Sequence, residues 1–170
     1  MAIEIREATE DEHDEAGRVT AEAYRALIRP GQDADWESYL ERIANVRERA
    51  SRTVILVAVE GGRVIGSATL ELEGRTDAED VPLADREAHI RMLGVDPGAQ
   101  GRGAGRALME ASEARAISEG KDVMTLNTTR RMTAAQHMYE RLGYERAPDR
   151  VFPDGFVLLS YAKRLSPSTI

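Results

Sequence analysis

Cysteine is absent from this chain of 170 residues. Its absence excludes a disulfide framework, a thiolate nucleophile and a zinc–thiolate centre, and it fits the reducing cytoplasm. No apolar run approaches the ~18 residues of a membrane span, so no membrane partner is expected. Charge comes early, at Glu4, Arg6 and Glu7, unlike a secretory leader. Positive charge is in deficit overall. The formal net charge is −7, which argues against a nucleic-acid partner, because phosphate contacts need a basic face. The acids are uneven: residues 1–95 hold 21 Asp and Glu against 12 Lys and Arg, whereas residues 96–150 hold 8 against 9. The second stretch is the better host for an anionic ligand. The acidic first half either attracts a cationic small molecule or simply keeps helix faces soluble. Repeats, low-complexity segments and linkers are also lacking. What remains has the size and patterning of one domain, expected over 1–165, with 166–170 as a frayed tail.

Glycine, by contrast, is concentrated in one place. Residues 95–108 read Val-Asp-Pro-Gly-Ala-Gln-Gly-Arg-Gly-Ala-Gly-Arg-Ala-Leu. The apolar residues Ile90, Met92, Leu93 and Val95 mark a strand, which Pro97 ends by withholding a ladder hydrogen bond. Gly101, Gly103 and Gly105 let the backbone turn sharply and approach a ligand without a Cβ in the way. Helical spacing then resumes at Ala104, Ala107, Leu108, Ala111, Ala114 and Ile117. A glycine-rich turn feeding a helix aims unpaired N–H groups and the positive end of the helix dipole at one point, which suits a phosphate. The same turn could also serve only as a tight connection. Two familiar phosphate patterns are missing from it. The glycine spacing is not G-x-G-x-x-G, and Arg106-Ala107 does not supply the Lys-Ser/Thr pair of a P-loop.

What fits is Gln100-x-x-Gly103-x-Gly105. This pattern resembles the acetyl-CoA motif of the GNAT superfamily of N-acetyltransferases, whose motif helix receives the CoA pyrophosphate on backbone amides. The resemblance implies that Gln100, Gly101, Arg102, Gly103, Ala104, Gly105 and Arg106 hold acetyl-CoA. It implies an α/β (α+β) fold with a central, mixed, mostly antiparallel sheet of about six to seven strands and about four flanking helices. A splayed strand pair in that sheet would hold the pantetheine arm.

The rest of the chain reads in the same order. Ile3–Arg6 alternates as a half-buried strand, and Thr9 with Glu12 forms a capping box for a helix whose stripe is Ala16, Val19, Thr20, Ala23 and Leu27. Pro30-Gly31 ends that helix. A second helix from Asp35 presents Trp36, Tyr39, Leu40, Ile43 and Val46. In the GNAT family this region shapes the acceptor pocket, so Tyr24, Trp36 and Tyr39 are substrate contacts or core. Thr53–Val59 reads as a strand covered on both faces, Gly61-Gly62 as a hairpin turn, Val64–Leu72 as the returning strand and 74–85 as a loop. The strand Glu87–Val95 leads into the motif. After the motif helix, closed by Gly120, come the strand Val123–Asn127, a turn at Thr128–Arg131 and a helix capped by Thr133. That helix presents Ala134, Ala135, Met138, Tyr139 and Leu142, and Gly143 stops it. Tyr144–Arg146 and Phe156–Tyr161 read as closing strands joined by a turn over 148–155.

A second resemblance lies in Thr133 to Glu145, which is similar to the family's Asn-led helix ending in Tyr-Glu-Lys-Leu-Gly-Phe. Thr133 stands where that family has Asn, which puts one side-chain contact to the cofactor in doubt. Amine acetylation needs a deprotonated nitrogen, a polarised thioester carbonyl and a proton for the leaving thiolate. Tyr139 matches the family's proton donor, and a phenol of ordinary pKa near 10 is protonated at neutral pH; the alternative is an inward packing residue. Backbone N–H groups at Leu93, Gly94 and Val95, where the strands splay near Val95, would polarise the carbonyl. Asn127 either contacts the pantetheine arm or ends its strand. The base position, glutamate in many relatives, is His89 here, with Glu87 as a second candidate on the same parity; either could equally be a surface group. Strand alternation puts His89, Arg91, Leu93 and Val95 on one face, opposite Ile90 and Met92. His13 and His137 sit on polar helix faces and are poorer candidates.

The expected activity is therefore transfer of acetyl from acetyl-CoA to a primary amine in a ternary complex, without a metal. The acceptor is a small molecule or exposed amino group, cationic if the acidic half bears on it, and homodimers are frequent in the family. A non-catalytic acyl-CoA sensor of the same fold is the alternative, and an unrelated nucleotide-binding or structural α/β domain is a third reading.

Overall fold

Two consecutive runs of β-branched and small apolar residues, joined by Gly61-Gly62, build the centre of the sheet. The computed structural model, which describes residues 2–26, 34–74, 81–153 and 155–166, pairs β2 (Val54–Glu60) with β3 (Arg63–Glu71) as a hairpin. Every residue of β2 but the last is buried, so the strand is covered on both faces as its unbroken apolar run requires. β1 (Glu4–Glu7), β4 (Glu87–Val95), β5 (Val123–Thr128), β6 (Glu145–Val151) and β7 (Val157–Arg164) complete seven strands in the order β1-β2-β3-β4-β5-β7-β6. All neighbours are antiparallel except β4 and β5.

Among the described residues five helices cover the two faces: α1 (His13–Arg25), α2 (Ala34–Ala44), α3 (Val46–Ala50), α4 (Ala104–Ser118) and α5 (Thr133–Arg141). The main core lies between the sheet and α4 and α5, around Leu70, Ile90, Leu108, Met124 and Tyr161. Smaller clusters on the opposite face join Ala16 and Val46 to β2 and β3, and join Leu40 and Ile43 to Met92. A Cβ at Gly17 would lie 1.9 Å from the Ala44 carbonyl oxygen, so only glycine lets α1 and α2 meet backbone to backbone.

The structure departs from the sequence reading at several places. The helix expected from Asp35 through Val46 breaks at Asn45, whose side chain accepts the Glu48 N–H and starts α3. Arg49, 2% exposed, reaches back from α3 to the Arg42, Ile43 and Asn45 carbonyls and so caps the C-terminus of α2. Nothing in the apolar spacing signals that break. The Thr9–Glu12 box is present, with Glu12 Oε1 accepting the Thr9 N–H at 2.9 Å, but it caps a 3₁₀ turn at Glu10–Glu12 that leads into α1. The buried stripe of α4 is Ala104, Leu108, Met109, Ser112 and Ala116, leaving Ala114 exposed. β6 runs through Pro148, which sits in a register shift between Ala147 and Arg150 on an edge strand, where no ladder bond is lost. The Leu27 and Pro30-Gly31 helix end, part of the 74–85 loop and nearly all of the 166–170 tail lie outside the described residues.

Candidate active site

The one parallel ladder of the sheet is short. β4 and β5 pair from Glu87/Val123 to Ile90/Leu126 and no further. Beyond it Asn127 and Thr128 pair only with β7, while Gly94 and Val95 pair only with β3. A wedge therefore opens between the two strands, as expected, but it begins at Arg91 rather than near Val95.

A bulge lies at the mouth of the wedge. Met92 has φ +54°, the one non-glycine positive φ among the described residues. On β3, Ala68 alone separates the partners of Arg91 and Gly94, while Met92 and Leu93 both stand between those two on β4. The extra residue reverses the alternation. Ile90, Leu93 and Val95 pack toward α4, whereas Met92 packs on Leu40 and Ile43. The expectation that Leu93 and Val95 share the face of His89 and Arg91 is thus corrected: His89, Arg91 and Met92 line the α1–α2 side. Gly94 also faces that side, where a Cβ would come within 3.1 Å of Thr20 and Ala23, so its small size serves helix packing.

The glycine turn leads from the wedge into α4. After a 3₁₀ turn at Pro97–Ala99, Gly101 and Gly103 adopt φ +83° and +86°, angles costly for any residue with a Cβ. Gly103 is the N-cap of α4 and supplies no side-chain acceptor, and the first turn holds no acid. The leading N–H groups of α4 are thus left for an outside acceptor. Gly105 lies against Met138 and Val95. The flanking side chains are engaged elsewhere: Arg102 with Glu60 at 2.6 Å, Arg106 with Glu110 at 2.8 Å, and Gln100 with the Val95 carbonyl at 3.4 Å. A phosphate held here would be held by backbone.

His89 is 4% exposed and directly opposite Thr125 in the parallel ladder. Thr125 Oγ1 lies 2.6 Å from Glu87 Oε2 and 2.8 Å from His89 Nδ1. A hydroxyl has one proton. Given to the Glu87 carboxylate, it obliges Nδ1 to donate to Thr125, which assigns the lone pair to Nε2. The two base candidates are thereby brought into one chain of hydrogen bonds, with Glu87 the remote member. Across the antiparallel ladder His89 faces Glu71, a fully buried acid that the sequence reading passed over because it sits within an apolar strand.

Tyr139 is 5% exposed and packs against Tyr144 and Tyr161, with ring centroids 6.1 and 5.9 Å away. Burial pushes its hydroxyl well above the ordinary tyrosine range, so it carries its proton at neutral pH. Tyr24, across the wedge on α1, is also held protonated, chiefly by burial and then by Tyr39 and Tyr139. Asn127 sits within β5, where its Oδ1 accepts from Ser160 at 3.0 Å. Thr133 is not the cap of α5: Met132 holds that position, and Thr133 is the exposed first residue.

On the α1–α2 side the wedge opens into a cavity of about 910 Å³. Tyr24, Trp36 and Tyr39 line it while also packing beside Met92, so they are both core and wall. His89, Asn127 and Thr128 form its floor side, and the β6–β7 connection contributes Phe152 and Phe156. Its described lining holds five arginines, Arg42, Arg91, Arg130, Arg131 and Arg150, and no carboxylate. That lining runs against the cationic acceptor suggested by the acidic first half. No group of three or more His, Asp or Glu among the described residues could hold a metal, and no helix there is long and apolar enough to cross a membrane.

A wedge in the sheet beside a glycine-capped helix is the architecture of the GNAT fold. The chain belongs to the acetyltransferase (GNAT) family, whose sequence model matches residues 14–144. Among curated proteins it is 32% identical over 142 residues to the mycothiol acetyltransferase of Cellulomonas flavigena, covering 73% of this chain and 40% of that protein. It is 32% identical over 90 residues to the mycothiol acetyltransferase of Thermobispora bispora, covering 53% and 29%. The chain thus spans well under half the length of these relatives. Among solved structures, a GNAT-family protein from Desulfovibrio desulfuricans matches with TM-score 0.73 at 17% identity, over 97% of this chain and all of that one. YncA of Salmonella typhimurium, solved with its cofactor acetyl-CoA, matches with TM-score 0.69 at 21% identity, over 100% and 98% of the two chains. At these identities the likeness is one of fold.

Proposed function

We propose that the protein moves an acetyl group from acetyl-CoA to a primary amine of a small molecule by direct attack in a ternary complex. The observation that carries this reading is the ending of the parallel ladder at Ile90/Leu126, which opens a wedge between the glycine turn and a cavity of about 910 Å³. The donor fits the residues present: the leading amides of α4, with Gly101 and Gly103 in left-handed conformation, suit a pyrophosphate, and the unpaired edge of β4 suits an extended pantetheine arm. The donor supplies an activated acyl carbonyl and a thiolate leaving group. Of Leu93, Gly94 and Val95, alternation from the Asp96 N–H, which is given to Ile65 on β3, leaves the Leu93 and Val95 N–H groups for the wedge side and turns that of Gly94 to β3, and Asn127 borders the same opening. His89 Nε2 takes the ammonium proton, directly or through a water, while Thr125 and Glu87 keep Nδ1 protonated and the ring fixed. Tyr139 gives its proton to the departing sulfur. The cavity next to the wedge supports turnover over mere acyl-CoA sensing, since a sensor has no need of a second chamber.

A thiol-release screen with acetyl-CoA across amine libraries tests the reading. Tyr139→Phe is expected to lower kcat by about a hundredfold while leaving the KM for acetyl-CoA within about twofold. An unchanged kcat removes Tyr139 from the acid role, and absence of thiol release with every amine refutes the proposed activity.

A further inference from the structure

The cavity has a chemical bias that amine acetylation alone does not require. Half of its described polar side chains, five arginines and Trp36, can only donate hydrogen bonds, and none is a carboxylate. Arg130 and Arg131 are adjacent, exposed and at the tip of the β5–α5 connection. That connection is held in one shape: the Thr129 carbonyl accepts both the Met132 N–H at 3.1 Å and Gln136 Nε2 at 2.8 Å. Two further guanidinium groups are pinned on aromatic faces, Arg42 on Tyr39 at 5.5 Å and Arg150 on Phe152 at 4.7 Å. They therefore present their charge with less side-chain entropy to lose on binding.

None of residues 100–106 lines this cavity, so its charge is separate from the glycine turn that suits the donor's pyrophosphate.

Building on the proposed acetyl transfer, we infer that the acceptor amine belongs to a molecule that also carries an oxyanion, a carboxylate or a phosphate. Arg130 and Arg131 hold that group from the tip of the β5–α5 connection. The amine end then lies toward His89 and the wedge. This places specificity at the loop between β5 and α5 and excludes polyamines as good acceptors, because every added cation meets like charge.

Trp36 is the chain's one tryptophan and stands in the wall, so its fluorescence reports occupancy without turnover. The full chain is titrated with matched pairs: β-alanine against β-alaninamide, and phosphoethanolamine against ethanolamine. At least one anionic member is expected to bind about tenfold or more tighter than its partner, and the two pairs separate carboxylate from phosphate. The Arg130→Ala/Arg131→Ala double variant is expected to abolish the preference and leave the KM for acetyl-CoA unchanged. Equal binding within both pairs overturns the inference, as does a double variant that keeps the preference or instead raises the KM for acetyl-CoA. Anion-selective binding without thiol release would keep the oxyanion site and remove the proposed activity; thiol release favouring the uncharged amines would keep the activity and overturn the inference.

Discussion

The ring of His89 meets the hydroxyl of Thr125 at 2.8 Å, and that same hydroxyl meets the carboxylate of Glu87 at 2.6 Å. Neighbours in a parallel ladder thereby fix which nitrogen of the imidazole carries the proton. Thr125 is a positioning residue, and its removal should act on chemistry more than on binding. Thr125→Val is expected to lower kcat by about tenfold with the KM for acetyl-CoA unchanged. It should also move the acidic limb of kcat/KM to lower pH, since the imidazolium loses its link to Glu87 while Glu71 and Arg91 stay in place. Thr125→Ser should restore both; a Val variant with normal kcat and pH profile would show the contact to be structural only.

Gly103→Ala tests the turn. At φ +86° an added Cβ costs about 1–2 kcal/mol of stability, measured by urea unfolding. Nothing lies within 4 Å of that Cβ, so the loss is conformational. CoA affinity by calorimetry should fall in the same variant, because relaxing φ swings the leading amides of α4 away from their common focus. Unaltered CoA affinity would detach the turn from the cofactor.

Arg49 carries the joint between α2 and α3. Its guanidinium donates to three carbonyls at 2.8–3.2 Å and to Thr69 Oγ1 at 3.0 Å, and burial draws its pKa down to about 10. Arg49→Met should cost about 3 kcal/mol in chemical denaturation, because buried acceptors lose their donor. Arg49→Lys should recover only part of this, since an ammonium lacks the planar fork.

Acid should weaken the first helix. The Arg6 guanidinium, at 2.7 Å, with help from the Thr9 N–H, lowers the Glu12 carboxyl from 4.5 to about 2. A folded-state pKa below the unfolded one contributes stability that is complete above pH 4.5 and disappears as pH falls toward 2. Arg6→Gln is expected to flatten that part of the stability–pH curve, read from thermal midpoints at matched ionic strength. An identical curve for the variant would contradict the pairing.

Local chemistry in the sequence announced most of the scaffold. Gly61-Gly62, the Thr9–Glu12 box, Gly103 and Gly143 each mark a backbone event that residue type alone demands, and the strands between them follow. Pairwise tertiary effects were not legible. The break at Asn45 depends on Arg49 finding carbonyls in three dimensions, and the path of β6 through Pro148 depends on its being an edge. At the site, the glycine turn and the position of Tyr139 could be read directly. The link from His89 through Thr125 to Glu87 could not, because it spans two strands that only the fold brings side by side. Nor could the arginine-rich lining, whose members come from four separated segments.

The bulge at Met92 makes β4 two half-strands joined out of phase. The upstream half turns His89 and Arg91 to the cavity, with Met92 following; downstream of the splice, Leu93 and Val95 rest on α4. Removing that single residue would rotate everything beyond it by half a turn and point Leu93 and Val95 into the cavity beside α1 and α2. Retaining it uncouples two evolutionary tasks along one strand. Side chains that line the cavity can be exchanged on the upstream half and on α1 and α2, while the downstream half keeps its seating against the helix that carries the glycine turn.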